Sequence, residues 1–529
     1  MMKNKKIVVI GAGPGGLAAA MLLSSKGYQV QVYEKQSYVG GRTSSIHLGE
    51  YTFDMGPTFL QMLYIIEEVF EASWRNIYDY VEVTDLDPMY QLVFDNKKMV
   101  MTHDRNKMVK QIRELFPGNE DGYDQYLHKT GKKLEKLGPV LQSDMNKFTD
   151  LLQTKVLKAL PELEFGRSLM ETLSKFFNEE ELKLAFTFQA KYLGMSPWES
   201  PGAFSILSYI EHAYGVQYIK GGLNQLTKAM AKIIEENGGR IFLNSGVRKL
   251  WLDKKKVKGV ILESGEHVEA DDTIINADFA NAMTKLVEPG VLKKYSPEKL
   301  EKKPYSCSAM VIYLGLNRTF DLPHHNIIFS SDYRKNVEEI SNSKILSEDP
   351  SIYVLNAKAT DPTVAPEGKS TLYIMAPVPN NFSEIDWNKE EKNFRNLMLN
   401  IVQERLGIED IEGYIEVEKI ISPKSWEEDI HVYKGALFNL GHQLTQMLYF
   451  RPHNKFQELQ NCWLVGGGTH PGSGLPIIIE SARITSNGIL EKYGRTRIAS
   501  KPLPTPYYEN EYKNRGFREN TYHPGMMNH

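Results

Sequence analysis

Three glycine-rich turns hold the residues whose spacing most plainly points to chemistry. The first, Gly11-Ala12-Gly13-Pro14-Gly15-Gly16, exposes backbone N–H groups with little side-chain cover. Gly11 permits a sharp turn, Gly13 lets a pyrophosphate approach the backbone, and Gly16 lets a following helix lie close on a strand. That helix would aim its free N–H groups and the positive end of its dipole at the phosphates. Glu34 comes eighteen residues after Gly16, where a carboxylate can accept both hydroxyls of an adenosine ribose. Lys35 stands beside it. The second turn, Val39-Gly40-Gly41-Arg42-Thr43, adds a guanidinium that can bind the same pyrophosphate. The third, Gly466-Gly467-Gly468-Thr469-His470-Pro471-Gly472-Ser473-Gly474, lies some 450 residues further on.

These turns need elements to hold them. Ile7 to Ile10 is an apolar, largely β-branched run, as expected of a parallel strand covered on both faces. A helix follows, Gly27 is placed to end it, and Gln29 to Tyr33 reads as the next strand. Residues 7–23 carry no polar side chain and follow Lys3, Lys5 and Lys6, which is also the make-up of a signal peptide. The glycines and proline between 11 and 16 would disrupt such a segment, and the dinucleotide pattern runs on to Glu34. The third turn repeats the geometry, with Cys462 to Val465 as a strand and a helix from Ile477 to Tyr493. Two separated anion-binding turns suit a cofactor with an extended polar chain between two ring systems, which favours FAD over NAD.

The chain has 529 residues, 41% hydrophobic and 24% charged, with net charge −3. That length predicts two or three domains. The charge balance gives no reason to invoke nucleic acid. Cys307 and Cys462, the only cysteines, have no metal-type spacing and read as buried thiols in a reducing compartment. No run of 18 apolar residues suggests a membrane span.

The predicted architecture is α/β. A discontinuous Rossmann-like domain is expected from 1–105, 215–280 and 455–495, with an α+β substrate domain over 281–454. Residues 106–214 are expected to form a mainly helical substrate or membrane region, and 496–529 a flexible tail. Helical spacing runs through 58–72 and 106–116. Phe53-Asp54-Met55-Gly56-Pro57-Thr58 reads as a strand ending in a loop that Asp54 ties down. An amphipathic helix to about 237 precedes strands at 240–244, 247–253, 257–262 and 270–276. Further strands are expected at 306–315, 352–356 and 371–376. Large apolar and aromatic side chains crowd 150–215, which suits core packing, a greasy cavity or a face dipping into lipid.

Across residues 7–490 the chain resembles the bacterial carotenoid desaturases, the phytoene and diapophytoene desaturase family. The pieces that carry the likeness are the first two turns, Glu34-Lys35, residues 53–58, Tyr305-Ser306-Cys307-Ser308-Ala309, Phe450-Arg451-Pro452 and Thr469-His470-Pro471-Gly472-Ser473-Gly474. Gly215 to Gly222 and Tyr305 to Ala309 look most like the branch acting on thirty-carbon diapophytoene.

The resemblance implies an amine-oxidase-type flavoprotein fold with FAD held by Gly11, Ala12, Gly13, Pro14, Gly15 and Gly16. Glu34 and Lys35 would lie at the adenosine ribose, and Gly41 and Arg42 near the pyrophosphate and flavin. Val247 would present backbone groups to the adenine, and Gly467, Gly468 and Thr469 would follow the ribityl chain. Two positions depart from common patterns. Gly468-Thr469 stands where many FAD proteins carry an acid, and Glu480 is bulky where relatives carry a small residue.

The implied reaction introduces double bonds into a linear C30 (4,4'-diapophytoene) or C40 (phytoene) polyene by hydride transfer to flavin, and so apolar an isoprenoid substrate explains why no catalytic triad or metal cluster stands out. His470 and Glu480 are candidates for the group that takes the proton, with His470 equally readable as fixing the turn before Pro471. Lys220, His212 and His442 read as structural or surface residues. The implied partners are a membrane lipid surface and an electron acceptor, oxygen or a quinone, for a cytoplasmic protein attached peripherally to the cell membrane. Two alternatives stand beside desaturation: a carotenoid terminal-methyl oxidase on the same fold, and a non-enzymatic prenyl-binding protein on a related one.

Overall fold

The structure is a computed structural model that describes residues 5–509 except Phe165 and Leu193. Its organising sheet has five parallel strands in the spatial order Cys462–Leu464, Asp272–Ile275, Lys6–Ile10, Gln29–Tyr33 and Arg240–Phe242. The central strand is buried on both faces, with Ile7, Val8 and Val9 at 0% exposure. That is why its sequence shows a continuous apolar run rather than an alternation. The helix Pro14–Ser25 starts with proline in its first turn, where no N–H partner is needed, and the chain leaves it through Gly27 at φ +80°. It packs between the last helix, Leu475–Lys492, and the amphipathic helix Asn224–Glu236. Remote parts of the chain therefore close one nucleotide-binding unit. A three-stranded antiparallel sheet, Val247–Asp253, Lys256–Leu262 and His267–Glu269, adjoins it.

A second sheet has seven strands. In spatial order they are Ile415–Ile421, Ser308–Leu316, Ser370–Val378, Ile352–Leu355, His325–Ile328, Tyr90–Val93 and Lys98–Met101. One face carries Met310, Ile312, Leu314, Leu372 and Ile374, and packs on the helix Trp387–Leu406 through Trp387, Phe394 and Met398. The other, inner face carries Val311, Tyr313, Tyr353 and Tyr373 and joins the main core with the helical region. Tyr313 and Tyr373 donate from it to the carbonyls of Met55 and Gly56, so the loop after Phe53-Asp54 lies directly on this face. Asp54 ties that loop down by accepting the Leu223 N–H at 2.8 Å.

The expected helix over 58–72 begins only at Leu63. Thr58 is held by the Tyr353 hydroxyl and Leu60 by a β-bridge to Gln217, so these tertiary bonds replace the first helical turn. Most large apolar side chains of 106–214 are core: Tyr123, Tyr126, Phe177, Phe186 and Phe188 are all buried. The exceptions cluster. Phe148 and Leu152 are 61% and 63% exposed, Leu157 and Leu160 are exposed nearby, and Phe450 is exposed beside Tyr449, whose ring meets Phe148. Both cysteines are buried free thiols. Of the expected flexible tail, residues 510–529 lie outside the described residues. The part before them is docked, with Lys501 paired to Glu71 and the Tyr508 hydroxyl 2.9 Å from that of Tyr209.

Candidate active site

Gly11, Gly13 and Gly16 lie where the strand Lys6–Ile10 gives way to the helix Pro14–Ser25. Gly11 has φ +93°, and a Cβ there would overlap the Asn276 carbonyl oxygen. A Cβ on Gly16 would sit 2.7 Å from Asn276 Nδ2, so close helix–strand packing excludes a side chain. Gly15 faces Val465 at 2.6 Å by the same measure, which brings the first turn against the strand that feeds the third. Gly13 differs. Its φ is −74°, and an added Cβ would meet only the end of the Asn276 side chain, at 3.1 Å. Ala12 is buried between them, and its N–H is held by Glu34.

Glu34 is 7% exposed; one oxygen accepts the Ala12 N–H at 2.7 Å and the other the Gln36 N–H at 2.9 Å. These bonds fix its carboxylate at the carboxyl end of the second strand, beside the glycine turn. Lys35 follows it on the surface, and the half-buried Val247 opens a strand two residues after Ser245, whose N–H bonds to the Glu34 carbonyl. Gly41, at φ +53°, faces Gly13: a Cβ on it would lie 3.3 Å from the Gly13 Cα. The first two turns therefore line one slot, with side chains excluded from both walls. Arg42 donates to the carbonyl of Leu437.

The third turn is drawn in by a residue to which the sequence pattern assigned no role. Arg451 is 0% exposed and donates to five carbonyls: Thr469 at 3.1 Å, Gly467 at 2.6 Å, and Leu440, Gly441 and Gln446. Burial pulls its guanidinium down to about 10. Among the described residues no carboxylate pairs with it, so carbonyl dipoles alone carry the charge. Gly468 has Phe279 and Asn439 where a side chain would go, and the Thr469 hydroxyl donates to Pro452 at 2.7 Å. Ser473 donates to the carbonyls of Phe438 and Gly467, beside the Leu437 carbonyl that Arg42 reaches. All three turns thus meet around one elongated cradle floored by backbone. A dinucleotide with a second ring system fits that donor set and its absence of side chains.

Of the two residues expected to take a proton, Glu480 is engaged through its whole carboxylate and His470 through one ring nitrogen, its Nδ1 being buried with no partner. His470 is fully buried with Nε2 2.7 Å from the Ser143 carbonyl, so that nitrogen carries the hydrogen. Burial holds its pKa down to about 4. Glu480 is clasped by Arg483 through four contacts of 2.6–3.2 Å, with both side chains buried and Glu68 3.8 Å from the same guanidinium. Burial raises the Glu480 carboxyl and Arg483 opposes it. The ion pair accounts for an acid at this buried position. The remaining candidates are tied elsewhere: Lys220 to Glu82, His212 to Tyr123, and His442 to the Ser473 N–H.

The sequence profile of the flavin-containing amine oxidoreductases matches residues 14–490, and the chain belongs to that family. It is a flavin-dependent oxidoreductase, and within the family it is one of the carotenoid desaturases. It is 49% identical over 493 residues to a 4,4'-diapophytoene desaturase (4,4'-diapolycopene-forming) of Methylomonas sp, covering 93% of this chain and 96% of that one. It is 33% identical to the 4,4'-diaponeurosporene-forming enzyme of Staphylococcus aureus (strain Newman), covering 93% and 99%. Among solved structures, an oxidoreductase from Methanosarcina mazei shares the fold at a TM-score of 0.60 and 17% identity, covering 92% of this chain and 100% of that one.

Proposed function

We propose that this protein binds FAD and desaturates a linear thirty-carbon polyene, 4,4'-diapophytoene, in successive steps. The observation that carries the substrate is the 49% identity with the Methylomonas enzyme along nearly the whole of both chains. The cradle described above supports FAD in particular. The Gly11–Gly16 turn would hold the pyrophosphate, Glu34 the adenosine ribose, and Val247 the adenine through its backbone. Gly41 and Arg42 would lie between pyrophosphate and flavin, with Gly467, Gly468 and Thr469 along the ribityl chain.

FAD, when bound, supplies a two-electron acceptor able to take a hydride from an allylic carbon. The protein's own residues must hold a hydrocarbon with no charge to grip and keep water away from it. The inner face of the seven-stranded sheet suits that task. Val311, Tyr313, Tyr353 and Tyr373 line it, and its loop 55–58 continues from the strand paired with Ser45–Leu48, just after Arg42. Apolar contact contributes ~25 cal/mol per Å² removed from water, enough to bind a polyene without ionic groups.

Such a substrate dissolves in lipid, and the exposed Phe148, Leu152, Leu157, Leu160 and Phe450 are the apolar surface suited to meet it. No helix among the described residues is long and apolar enough to cross a membrane. A peripheral contact at the cytoplasmic side of the cell membrane, with oxygen or a quinone as electron acceptor, completes the reading.

The test is product analysis in a pigment-free host supplied with 4,4'-diapophytoene. Loss of hydrogen pairs with absorption moving stepwise to longer wavelength is the expected result. Gain of oxygen by an already coloured precursor, with no action on the colourless one, would replace desaturation by terminal-methyl oxidation.

A further inference from the structure

Desaturation removes a hydride and a proton; Glu480 is held by Arg483, and His470, although its Nδ1 has no partner, is kept a weak base by burial, at about 4. A different carboxyl stands over the inner face of the substrate sheet. Glu211, on the helix Ile206–Tyr214, is fully buried. Its Oε2 accepts from the Tyr90 hydroxyl at 2.6 Å and from Gln189 Nε2 at 2.6 Å, and its Oε1 accepts from Gln61 Nε2. The donors come from a strand of the sheet, the short helix Phe188–Tyr192 and the loop 55–62. All are neutral, and no lysine or arginine pairs with Glu211 among the described residues.

The surroundings are aromatic. Tyr90 meets Phe188 and Phe59 edge-on at 5.0 and 6.0 Å between ring centres, and Phe59 stacks on His325 at 4.0 Å. Two polar atoms in this wall, Gln189 Oε1 and His325 Nε2, are buried with no partner. Gln61 belongs to the same loop as Gly56, and a Cβ on Gly56 would lie 2.8 Å from the Arg42 carbonyl oxygen. One short loop therefore runs from the cofactor cradle to Glu211. A carboxylate offers about four lone-pair positions, and the three donors leave one on Oε1 unused.

We propose that Glu211 is the base that accepts the proton as the polyene is desaturated. The proposal rests on the desaturase reading above. One allylic C–H bond would break with its electron pair, the hydride going to the two-electron acceptor that FAD would supply when bound. The neighbouring C–H bond breaks heterolytically, and its electron pair becomes the second bond of the new C=C. The proton forms the O–H of neutral Glu211 and returns to solvent before the next round. The substrate would thus lose two hydrogens, one as the hydride for which FAD would be the acceptor and one as the proton held by the carboxylate.

Burial pushes the Glu211 carboxyl up to about 8, against the pull of its three donors. No charged neighbour opposes or assists it; from the helix Glu120–Leu141, packed on its own, Tyr126 is the titratable group that feels its charge, which adds to burial in pushing that hydroxyl up. Tyr90 is the titratable group facing it from the sheet, and the loop contributes only Gln61. On the short helix Lys191 is turned to Asn336, and on its own helix His212 is bonded to Tyr123 and held neutral by burial. His325, behind Phe59, is held well below its usual range by burial.

The test is single-turnover flavin reduction by 4,4'-diapophytoene under anaerobic conditions from pH 6 to 10, on flavin-loaded protein. Wild type is expected to speed up with pH and level off above about 8. Glu211→Gln should keep its flavin and bind substrate while reducing at least ~10²-fold more slowly, with a flat pH profile. Glu211→Asp should recover part of the rate and the pH dependence. Independently of turnover, wild type should show an infrared carboxylic acid C=O band that titrates near pH 8 and is missing in Glu211→Gln. Should that variant not fold, Tyr90→Phe serves instead. It removes a donor to the carboxylate and should move the wild-type profile to higher pH. A flat wild-type profile, an unmoved Tyr90→Phe profile, or Glu211→Gln reducing flavin within threefold of wild type each overturns the assignment. Failure of wild-type flavin to bleach with this substrate would instead remove the desaturase reading, and the assignment with it.

Discussion

Gly13→Val separates cofactor binding from folding. At Gly13 the backbone is ordinary for an L-residue, with φ −74° and ψ 172°. An added Cβ meets a single atom, the end of the Asn276 side chain at 3.1 Å, which can give by a few tenths of an ångström. Replacing glycine also restricts the unfolded chain, a gain of roughly 0.4–1 kcal/mol that offsets the tight contact. The apoprotein should therefore change in stability by no more than ~1 kcal/mol. The valine methyls, however, project from the turn on which the pyrophosphate is proposed to lie. FAD affinity should fall at least ~100-fold, equivalent to ~2.8 kcal/mol. Gly11→Ala is the contrasting control. There φ is +93° and the new Cβ overlaps a backbone carbonyl oxygen, so the penalty falls on folding itself. Strain at such a φ alone costs ~1–2 kcal/mol before any clash is relieved. The assay is flavin absorbance per protein after purification, with thermal melts run with and without added FAD. Gly13→Val should melt close to wild-type apoprotein and fail to respond to FAD. Stoichiometric flavin in Gly13→Val, or a loss of stability matching that of Gly11→Ala, would refute this account of the turn.

Further outcomes follow from other parts of the molecule. Arg451→Lys loses the planar fork that binds five carbonyls and should cost ~3 kcal/mol or more with partial loss of flavin, measured by urea melts and absorbance; wild-type flavin content and stability would contradict that. Trp426→Ala removes a fully buried indole whose N–H bonds the Ala309 carbonyl at 2.9 Å, and should cost ~3–5 kcal/mol. Leu152→Ser with Leu157→Ser should weaken flotation with liposomes at least tenfold while leaving flavin content intact; unchanged flotation would dismiss that surface. Stability should fall at both ends of the pH scale. The depressed His212 and His470 contribute stability that is present above pH 6.5 and lost as pH falls towards about 3 and 4. Glu211, raised from 4.5 to about 8, contributes stability that is present below 4.5 and lost as pH rises to 8. Every tenfold difference in proton affinity between folded and unfolded chain is worth ~1.4 kcal/mol at most, and Glu211→Gln should flatten the alkaline limb in urea melts; an unchanged limb would count against a buried neutral acid.

The nucleotide-binding unit was legible because its signals are local. A β-branched run, a glycine turn and a helix start sit within twenty residues, and the second strand occupies Gln29–Tyr33 as its alternation predicts. The strands His325–Ile328, Tyr90–Val93 and Ile415–Ile421 were not legible. The first two have only four residues, and what makes each of the three a strand is a partner remote in sequence, as when Asn326 pairs with Gln91. Arg451 stood in a recognisable motif, yet its task depends on carbonyls contributed by two separate loops. Glu211 gave no signal at all. Its chemistry is made by Gln61, Tyr90 and Gln189, none of which is nearer than 22 residues in the chain. Glu480 shows the reverse: an acid conspicuous in sequence whose charge is absorbed by Arg483, one helical turn away.

The strand order of the parallel sheet also sets a schedule for synthesis. Cys462–Leu464 is the edge strand beside Asp272–Ile275, and the helix that follows it packs on Pro14–Ser25. The first strand emerges from the ribosome at residue 6, but its unit cannot close until nearly the last helix has been made. Throughout that interval the Asp272–Ile275 strand has one unpaired edge, and the apolar helix Pro14–Ser25 lacks one of its two main neighbours. Nascent chains of this kind depend on chaperones to cover such surfaces. The third turn arrives with the same final segment, so the three turns can meet only in a nearly finished polypeptide. A chain cut short before residue 462 would be left with neither a closed sheet nor a complete cradle.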